Sequence, residues 1–176
     1  CQGQGFIQVG LDLPGVQQAA LAWGDCDNDG DLDLLVAGTT GWPSWTRLAR
    51  IYRNDGGVFA DMGAGLPGMD MAPSATWCDY DMDGDLDVLL VGSTGTAIVT
   101  ALYRNDGGGA FTSVNTGLPA VSAQTVAWTD YDGDGDPDLL LSGWSYTGPI
   151  TRIYRSEGNG TFTDINAVLP SRVKSV

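Results

Sequence analysis

Short apolar runs recur along the chain, and acidic or glycine-rich turns separate them. The most hydrophobic runs are nearly unbroken, which is typical of strands buried on both faces. They occupy residues 32–37, 86–91 and 139–141. A shorter apolar and aromatic run precedes each of them, at residues 20–23, 75–77 and 125–128. We interpret each pair of runs as the first two strands of a repeated unit, and we predict an all-β chain.

Two further strands complete each unit. Residues 47–52, 98–103 and 150–154 alternate between polar and apolar positions, as a third strand would. An Asn-Asp-Gly-Gly hairpin signal at residues 54–57, with its counterparts in the later units, then leads to a fourth strand that contains phenylalanine. Each unit therefore has four predicted antiparallel strands, and no helical periodicity interrupts them.

Side-chain markers recur at a fixed period. The tyrosines near the end of the third strands lie 51 residues apart and are Tyr52, Tyr103 and Tyr154. A phenylalanine followed seven residues later by Leu-Pro occurs four times, and its first copy lies at residues 6–14. The first unit is slightly longer than the others because the loop around Pro43 is extended. This regularity identifies a repeat architecture.

A unit of this size cannot bury both faces of its own sheet, so neighbouring units must stack. Four short strands at a fixed period match a β-propeller blade better than a sandwich. We predict blades at residues 20–72, 73–123 and 124–170, with an extra outer strand and lead-in at 1–19 and a tail at 171–176. Three blades do not close a circle. The chain is thus either a partial propeller or part of a ring completed by oligomerisation, such as a six-bladed dimer.

A tryptophan opens a nine-residue acidic loop in each unit, with aspartate at loop positions 1, 3, 5, 7 and 9. The three loops hold 15 of the 22 acidic residues. The aspartates of the first loop are Asp25, Asp27, Asp29, Asp31 and Asp33. Those of the second are Asp79, Asp81, Asp83, Asp85 and Asp87, and those of the third are Asp130, Asp132, Asp134, Asp136 and Asp138.

This spacing predicts three calcium sites. Carboxylates at positions 1, 3 and 5 can converge, glycine at position 6 permits a sharp turn, the carbonyl at position 7 can add a ligand, and aspartate at position 9 can complete the shell. We expect the side chains at position 7 to face solvent. Oxygen ligands in this number suit Ca²⁺ better than Mg²⁺, and zinc or copper would need nitrogen or sulfur donors. Without a cation, each carboxylate pair costs about 0.8 kcal/mol at ~5 Å even in water, so metal binding should favour folding.

Two other calcium motifs do not fit. An EF-hand requires glutamate at position 12, whereas these loops have Val36, Leu90 and Leu141 there. A calcium-binding β-helix would repeat every nine residues.

Composition narrows the functional classes. A net charge of −14 opposes binding to nucleic acid or to an anionic membrane surface. The chain has no histidine, which removes the usual general base and the commonest zinc ligand, and we expect no enzymatic activity. No apolar stretch is long enough for a membrane span. The three cysteines form no disulfide framework, and Cys1 suits either a lipidated bacterial N-terminus or a trimmed chain.

The motif Asp-x-Asp-x-Asp-Gly-x-x-Asp on a strand-to-strand turn, in units of this length, resembles the FG-GAP/VCBS repeats of integrin α-subunit propellers and bacterial surface proteins. The resemblance covers nearly the whole chain. It implies largely structural calcium loops between the first two strands of each blade, and an extracellular setting related to adhesion or carbohydrate. A ring in that family normally has seven blades, whereas this chain has three loops.

Aromatic residues divide into two groups. Trp23, Trp77 and Trp128 share one register, and we predict that they lie in the core. A second group lies in the variable hairpin after the second strand, where exposed aromatics suit stacking on sugar rings or a protein partner. Its members are Trp42, Trp45, Trp144 and Tyr146. The arginines that follow the tyrosine markers should pair with nearby acids, and they are Arg53, Arg104 and Arg155.

These observations favour a calcium-stabilised, extracellular or cell-surface module that binds a glycan or protein. Two alternatives remain open: a non-catalytic accessory fragment of a larger glycan-active or surface enzyme, and a purely structural assembly unit.

Overall fold

The computed structural model describes residues 13–167, and this part of the chain contains strands and no helix. Twelve strands form three antiparallel sheets of four. The first sheet contains β1 (Val16–Gly24), β2 (Asp33–Thr40), β3 (Arg47–Asp55) and β4 (Val58–Asp61). The second contains β5 (Asp70–Cys78), β6 (Asp87–Ser93), β7 (Ile98–Asn105) and β8 (Phe111–Val114). The third contains β9 (Val121–Thr129), β10 (Asp138–Ser145), β11 (Gly148–Ser156) and β12 (Phe162–Asp164).

Each sheet pairs its strands in sequence order, as in a propeller blade, so the predicted all-β fold of three four-stranded units is confirmed. The register is the same across the first and third blades: Trp23 pairs with Leu34, Leu34 with Tyr52, and Tyr52 with Asp61. The first strands β1, β5 and β9 begin at Val16, Asp70 and Val121, before the predicted blade boundaries at residues 20, 73 and 124. The predicted outer strand lies largely outside the described residues, as do Cys1 and the tail.

Blade stacking builds the core, because alternate residues of a strand point to opposite faces. In the first blade, Leu35 and Ile51 face the second blade and pack in one cluster with Val88 and Leu90. A second cluster joins the second and third blades around Leu89, Val91, Leu102, Leu139 and Leu141. Every residue of the central strands β2 and β6 except the last is buried, as their unbroken hydrophobicity predicts.

Tryptophan packing depends on the neighbouring blade. Trp77 lies over the first blade, where its indole Nε1 donates a hydrogen bond to the Ala22 carbonyl at 3.2 Å. A Cβ atom at Gly24 would come within 2.7 Å of the Trp77 ring, so this contact requires glycine at position 24. The prediction that all three tryptophans are core is wrong for Trp23, which is 57% exposed. Trp23 contacts Phe59 of its own blade, and no blade of residues 13–167 precedes it.

Antiparallel pairing sorts the connections between two ends of the array. The acidic loops and the hairpins after the third strands share one end. The hairpins after the second strands, which carry the aromatic residues, lie at the opposite end. Among the described residues, no helix is long and apolar enough to cross a membrane.

Candidate metal sites in the acidic loops

The aspartate at position 1 closes each loop on itself. In the first loop, Asp25 accepts hydrogen bonds from the backbone N–H of Asp29 at 3.1 Å and of Gly30 at 3.0 Å. Asp79 accepts the equivalent bonds from Asp83 and Gly84. Asp130 accepts the N–H of Gly135 at position 6 and, in place of position 5, the N–H of Gly133 at position 4. The aspartate at position 5 makes a further hydrogen bond within the loop: the carboxylate of Asp29 accepts the N–H of Asp31 at 2.8 Å. Aspartate at positions 1 and 5 therefore folds the loop into a tight turn.

Two loop positions adopt left-handed backbone conformations. Glycine at position 6 has φ values of 95° to 101° in the three loops, as expected for its predicted role. Position 4 is also left-handed, with φ of 59° at Asn28, 59° at Met82 and 80° at Gly133. Asparagine and glycine adopt this conformation at little cost, whereas it is strained for methionine. The residue types Asn28 and Gly133 are the sequence signal for this conformation.

The aspartate at position 9 is fully buried in all three loops. In the first loop, Asp33 accepts the N–H of Cys26 and the N–H of Asn54, both at 2.8 Å. Asp87 accepts the N–H groups of Tyr80 and Asn105, and Asp138 accepts those of Tyr131 and Ser156. Position 9 thus fastens its loop to the end of the third strand, which is a structural role that spacing alone did not reveal.

Three carboxylate groups converge within each loop, with ligand oxygens all within 4.8 Å of one another. Positions 1, 3 and 9 form the group in the second and third loops, and positions 1, 3 and 5 form it in the first. These residues are Asp25, Asp27, Asp29, Asp79, Asp81, Asp87, Asp130, Asp132 and Asp138. The predicted ligands that lie outside these groups are Asp31, Asp33, Asp83, Asp85, Asp134 and Asp136.

In the first two loops, the aspartate at position 7 does not simply face solvent, contrary to our expectation. The carboxylate of Asp31 accepts the N–H of Gly56 at 2.7 Å in the neighbouring hairpin. The carboxylate of Asp85 accepts the amide N–H of Asn28 at 2.8 Å, across the boundary between two blades. Both side chains are half-buried. Their partners come from other turns, so the loop sequence by itself could not indicate them.

The loops are electrostatically strained. Burial, together with the negative charges of Asp81 and Asp83, raises the pKa of Asp87 to about 7, although two backbone hydrogen bonds act in the opposite direction. Burial also raises the pKa of Asp27, and the charges of Asp33 and Asp29 add to the effect. A bound cation would oppose these shifts, because it favours the ionised carboxylates.

The residues fit a hard divalent cation. In the second loop, the Oδ1 atom of Asp81 is buried and has no hydrogen-bond partner among the described residues. An unpaired buried carboxylate oxygen is costly unless something coordinates it. The surrounding donors are all oxygens, which suits Ca²⁺ or Mg²⁺ and not a metal that prefers sulfur or nitrogen.

Neighbouring loops are coupled by asparagine side chains. The amide of Asn105 donates to the carbonyl of Cys26 in the adjacent blade at 2.8 Å. Together with the Asn28–Asp85 bond, this contact joins the first two acidic loops. Asparagine recurs at the equivalent position 54, where its amide donates to the Leu32 carbonyl of its own blade.

The recurring arginines pair with acids two residues further along the chain, as predicted. The ion pairs join Arg53 to Asp55 at 2.7 Å, Arg104 to Asp106 at 2.6 Å, and Arg155 to Glu157 at 2.7 Å.

Cys26 and Cys78 are buried and unpaired, and burial raises the pKa of the Cys78 thiol to about 12. These thiols are therefore poor nucleophiles.

The hairpin aromatics are exposed, as predicted. Trp42 is 84% exposed, Trp45 54%, Trp144 56% and Tyr146 72%. The hydroxyl of Tyr146 accepts the backbone N–H of Ile98 in the second blade at 3.2 Å, which fixes the position of its ring.

The family model described as FG-GAP-like repeat matches residues 25–90, 79–141 and 130–175. Comparison with curated protein sequences gives no significant match. Among solved structures, the chain is similar to a lectin of Agrocybe aegerita, whose structure is described as the basis for specific recognition of non-reducing terminal N-acetylglucosamine. The TM-score is 0.53 at 19% sequence identity, and the match covers 82% of this chain and 37% of the lectin chain. The similarity to the lectin shows a shared fold, and the repeat matches show that the chain belongs to the FG-GAP-like repeat family.

Proposed function

We propose that this chain is a calcium-stabilised, extracellular or cell-surface binding module that recognises a glycan or a protein and has no catalytic activity. The observation that carries the calcium proposal is the convergence of three carboxylates in every loop, with an unpaired buried oxygen on Asp81. In each loop the ion would be held by the converging aspartates. Calcium would neutralise their mutual repulsion and so stabilise the connection between the first two strands of each blade.

Glycan recognition is supported by the hairpin aromatics at the end of the array opposite the calcium loops. Exposed tryptophan and tyrosine rings suit the apolar faces of sugars, and Trp42 and Trp45 are presented by one hairpin of the first blade. Because the structurally similar lectin is described as recognising terminal N-acetylglucosamine, glycans that end in this sugar are the first ligands to test.

A glycan array probed with the calcium-loaded chain tests this function. We expect binding that decreases when Trp42 and Trp45 are both replaced by alanine, while the melting temperature stays unchanged. Absence of binding to every glycan, together with no protein captured from an extracellular extract, would contradict the binding-module proposal and leave the accessory-fragment and structural-unit alternatives.

Assembly through the outer faces of the first and third blades is part of the same proposal. The aromatic residue at loop position 2 is 3% exposed at Tyr80, which the third blade covers, and 44% exposed at Tyr131, which no described blade covers. Trp23 is similarly exposed on the outer face of the first blade. A second copy placed head to tail would bury both residues and complete a six-bladed ring. Light scattering tests this association: a stable monomer at high concentration would exclude the dimer.

A further inference from the structure

Two open pockets occupy equivalent places in the first and third blades, beneath the hairpins that carry the aromatic residues. The pocket of the first blade has a volume of about 560 Å³, and that of the third about 400 Å³. Both volumes fall in the range of small-molecule sites, roughly 300–1,000 Å³. The first pocket is lined in part by Thr40, Leu48, Arg50, Tyr52 and Asp61. The third-blade pocket is lined in part by Tyr146, Ile150, Arg152, Tyr154 and Asp164.

The same polar group stands in both pockets. In the first blade, Nη1 of Arg50 donates to Oδ2 of Asp61 at 2.9 Å, and Tyr52 pairs with Asp61 across the two strands. In the third blade, Arg152 pairs with Asp164 and Tyr154 occupies the tyrosine position. The arginine side chains are 50% and 44% exposed, respectively, so their remaining N–H groups are accessible from solvent.

The fold does not require this ion pair. In the second blade, the register places Ala101 at the arginine position and Ser113 at the aspartate position, while Tyr103 keeps the tyrosine. That blade forms the same four strands. The second blade therefore lacks both the arginine and the aspartate, whereas all three blades retain the tyrosine.

A buried hydroxyl supports a ligand in the first pocket. Tyr52 is only 5% exposed, and its hydroxyl has no hydrogen-bond partner within residues 13–167. An unpaired buried hydroxyl is unfavourable, and a hydroxyl group of a bound ligand would satisfy it.

The chemistry selects a neutral, polyhydroxylated ligand. An arginine paired with aspartate offers donors and acceptors without net charge, and the chain as a whole carries −14, which disfavours anions. Leu48 and Ile150 give each pocket an apolar wall for the C–H face of a ring. We propose that these two pockets are saccharide-binding subsites in which the Arg–Asp pair and the tyrosine hydrogen-bond to sugar hydroxyls. This inference rests on the proposed glycan recognition and assigns it to specific residues.

Methyl NMR with a panel of neutral monosaccharides tests the assignment. We expect added sugar to shift the methyl signals of Leu48 and Ile150, and to leave the core methyls of Leu89 unchanged. Tyr52→Phe removes only the unpartnered hydroxyl, so the fold should be retained while the affinity reported by Leu48 falls about fivefold, as expected for one hydrogen bond.

Replacement of Arg50 and Arg152 by alanine should weaken binding at both pockets by at least about tenfold, as expected when hydrogen bonds from charged groups are lost. Arg104→Ala is the matched control, because this exposed arginine pairs with Asp106 and lines neither pocket. The double replacement A101R and S113D in the second blade should create a third site.

The outcomes separate the two proposals. If the calcium-loaded wild-type chain binds glycans on an array and the R50A/R152A variant binds them equally well, the pocket assignment is wrong and the proposed function stands. Monosaccharide-induced shifts of the indole N–H signals of the hairpin tryptophans, with none in the methyl signals of Leu48 and Ile150, also overturn the pockets. Binding of peptides and no saccharide, or no binding at all, contradicts glycan recognition and the subsites together.

Discussion

The buried carboxylate of Asp87 accepts the backbone N–H of Asn105 at 2.8 Å, and the side chain of Asn105 in turn donates to the neighbouring blade. A single aspartate therefore connects an acidic loop, the end of a third strand and the interface between two blades. Because Asp87 also belongs to a converging carboxylate group, cation binding at this loop acts directly on the residues that hold the blades together.

Replacement of Asp87 by asparagine should destabilise the protein in saturating calcium, where a bound cation balances the buried charge of the carboxylate. The amide nitrogen cannot accept a backbone N–H, so one of two buried hydrogen bonds is lost, at a cost of about 1–3 kcal/mol. Asp83→Asn is the control: this residue is exposed, lies outside the converging carboxylate group and can keep its single bond to the N–H of Asp85. Urea denaturation in saturating calcium should show the difference, and equal stability of the two variants would contradict the structural role of position 9.

The calcium-free protein should lose stability between about pH 4 and pH 7. The pKa of Asp87 in the folded state is raised to about 7 from its ordinary value of 3.8. The unfolded chain therefore releases this proton first, and the folded state resists ionisation as pH rises through this window. Denaturation in chelator across this pH range measures the effect. Asp87→Asn should flatten the profile, and a profile that rises toward pH 7 in chelator would contradict the burial of an uncompensated carboxylate.

Met82→Gly should stabilise the protein by about 0.5–1 kcal/mol, because methionine is strained at φ 59° and glycine is not. Met82 is 59% exposed, so little packing is lost. The reverse test is Gly133→Ala at the same loop position, where φ is 80° and a Cβ would meet no other atom, so that the strain alone should be destabilising. Thermal melts in saturating calcium compare the three proteins, and a destabilised Met82→Gly variant would contradict the left-handed conformation at position 4.

The tryptophans of equivalent register should differ in their contribution to stability. Trp77→Ala removes a hydrogen bond to Ala22 and packing against the first blade, and should cost about 2–4 kcal/mol. Trp23→Ala removes an exposed ring and should cost less than about 1 kcal/mol. Chemical denaturation at low protein concentration makes the comparison. Equal, large losses would indicate that Trp23 is also covered by another blade.

The blade architecture could be predicted from the sequence because its signals are local. Unbroken apolar runs identified the central strands, and the Asp-x-Asp-x-Asp-Gly pattern identified turns that are closed by short-range hydrogen bonds. The exposure of Trp23 could not be predicted, since burial at that register depends on the adjacent blade. The partners of Asp31 and Asp85 were missed for the same reason: Gly56 lies in another turn, and Asn28 lies in another blade.

The pockets show a different limit of sequence reasoning. Arg50 and Asp61 are eleven positions apart along the chain, and only the pairing of β3 with β4 places them beside Tyr52. Their joint replacement at Ala101 and Ser113 is visible in the repeat once the strand register is known.

Thermal unfolding of the same preparation in excess chelator and after calcium is restored tests the central claim most directly. Converging carboxylates that repel each other without a cation predict a sharply lower melting temperature in chelator, recovery on addition of Ca²⁺, and a smaller recovery with Mg²⁺. A melting temperature that is the same in excess chelator and in saturating calcium would contradict the account.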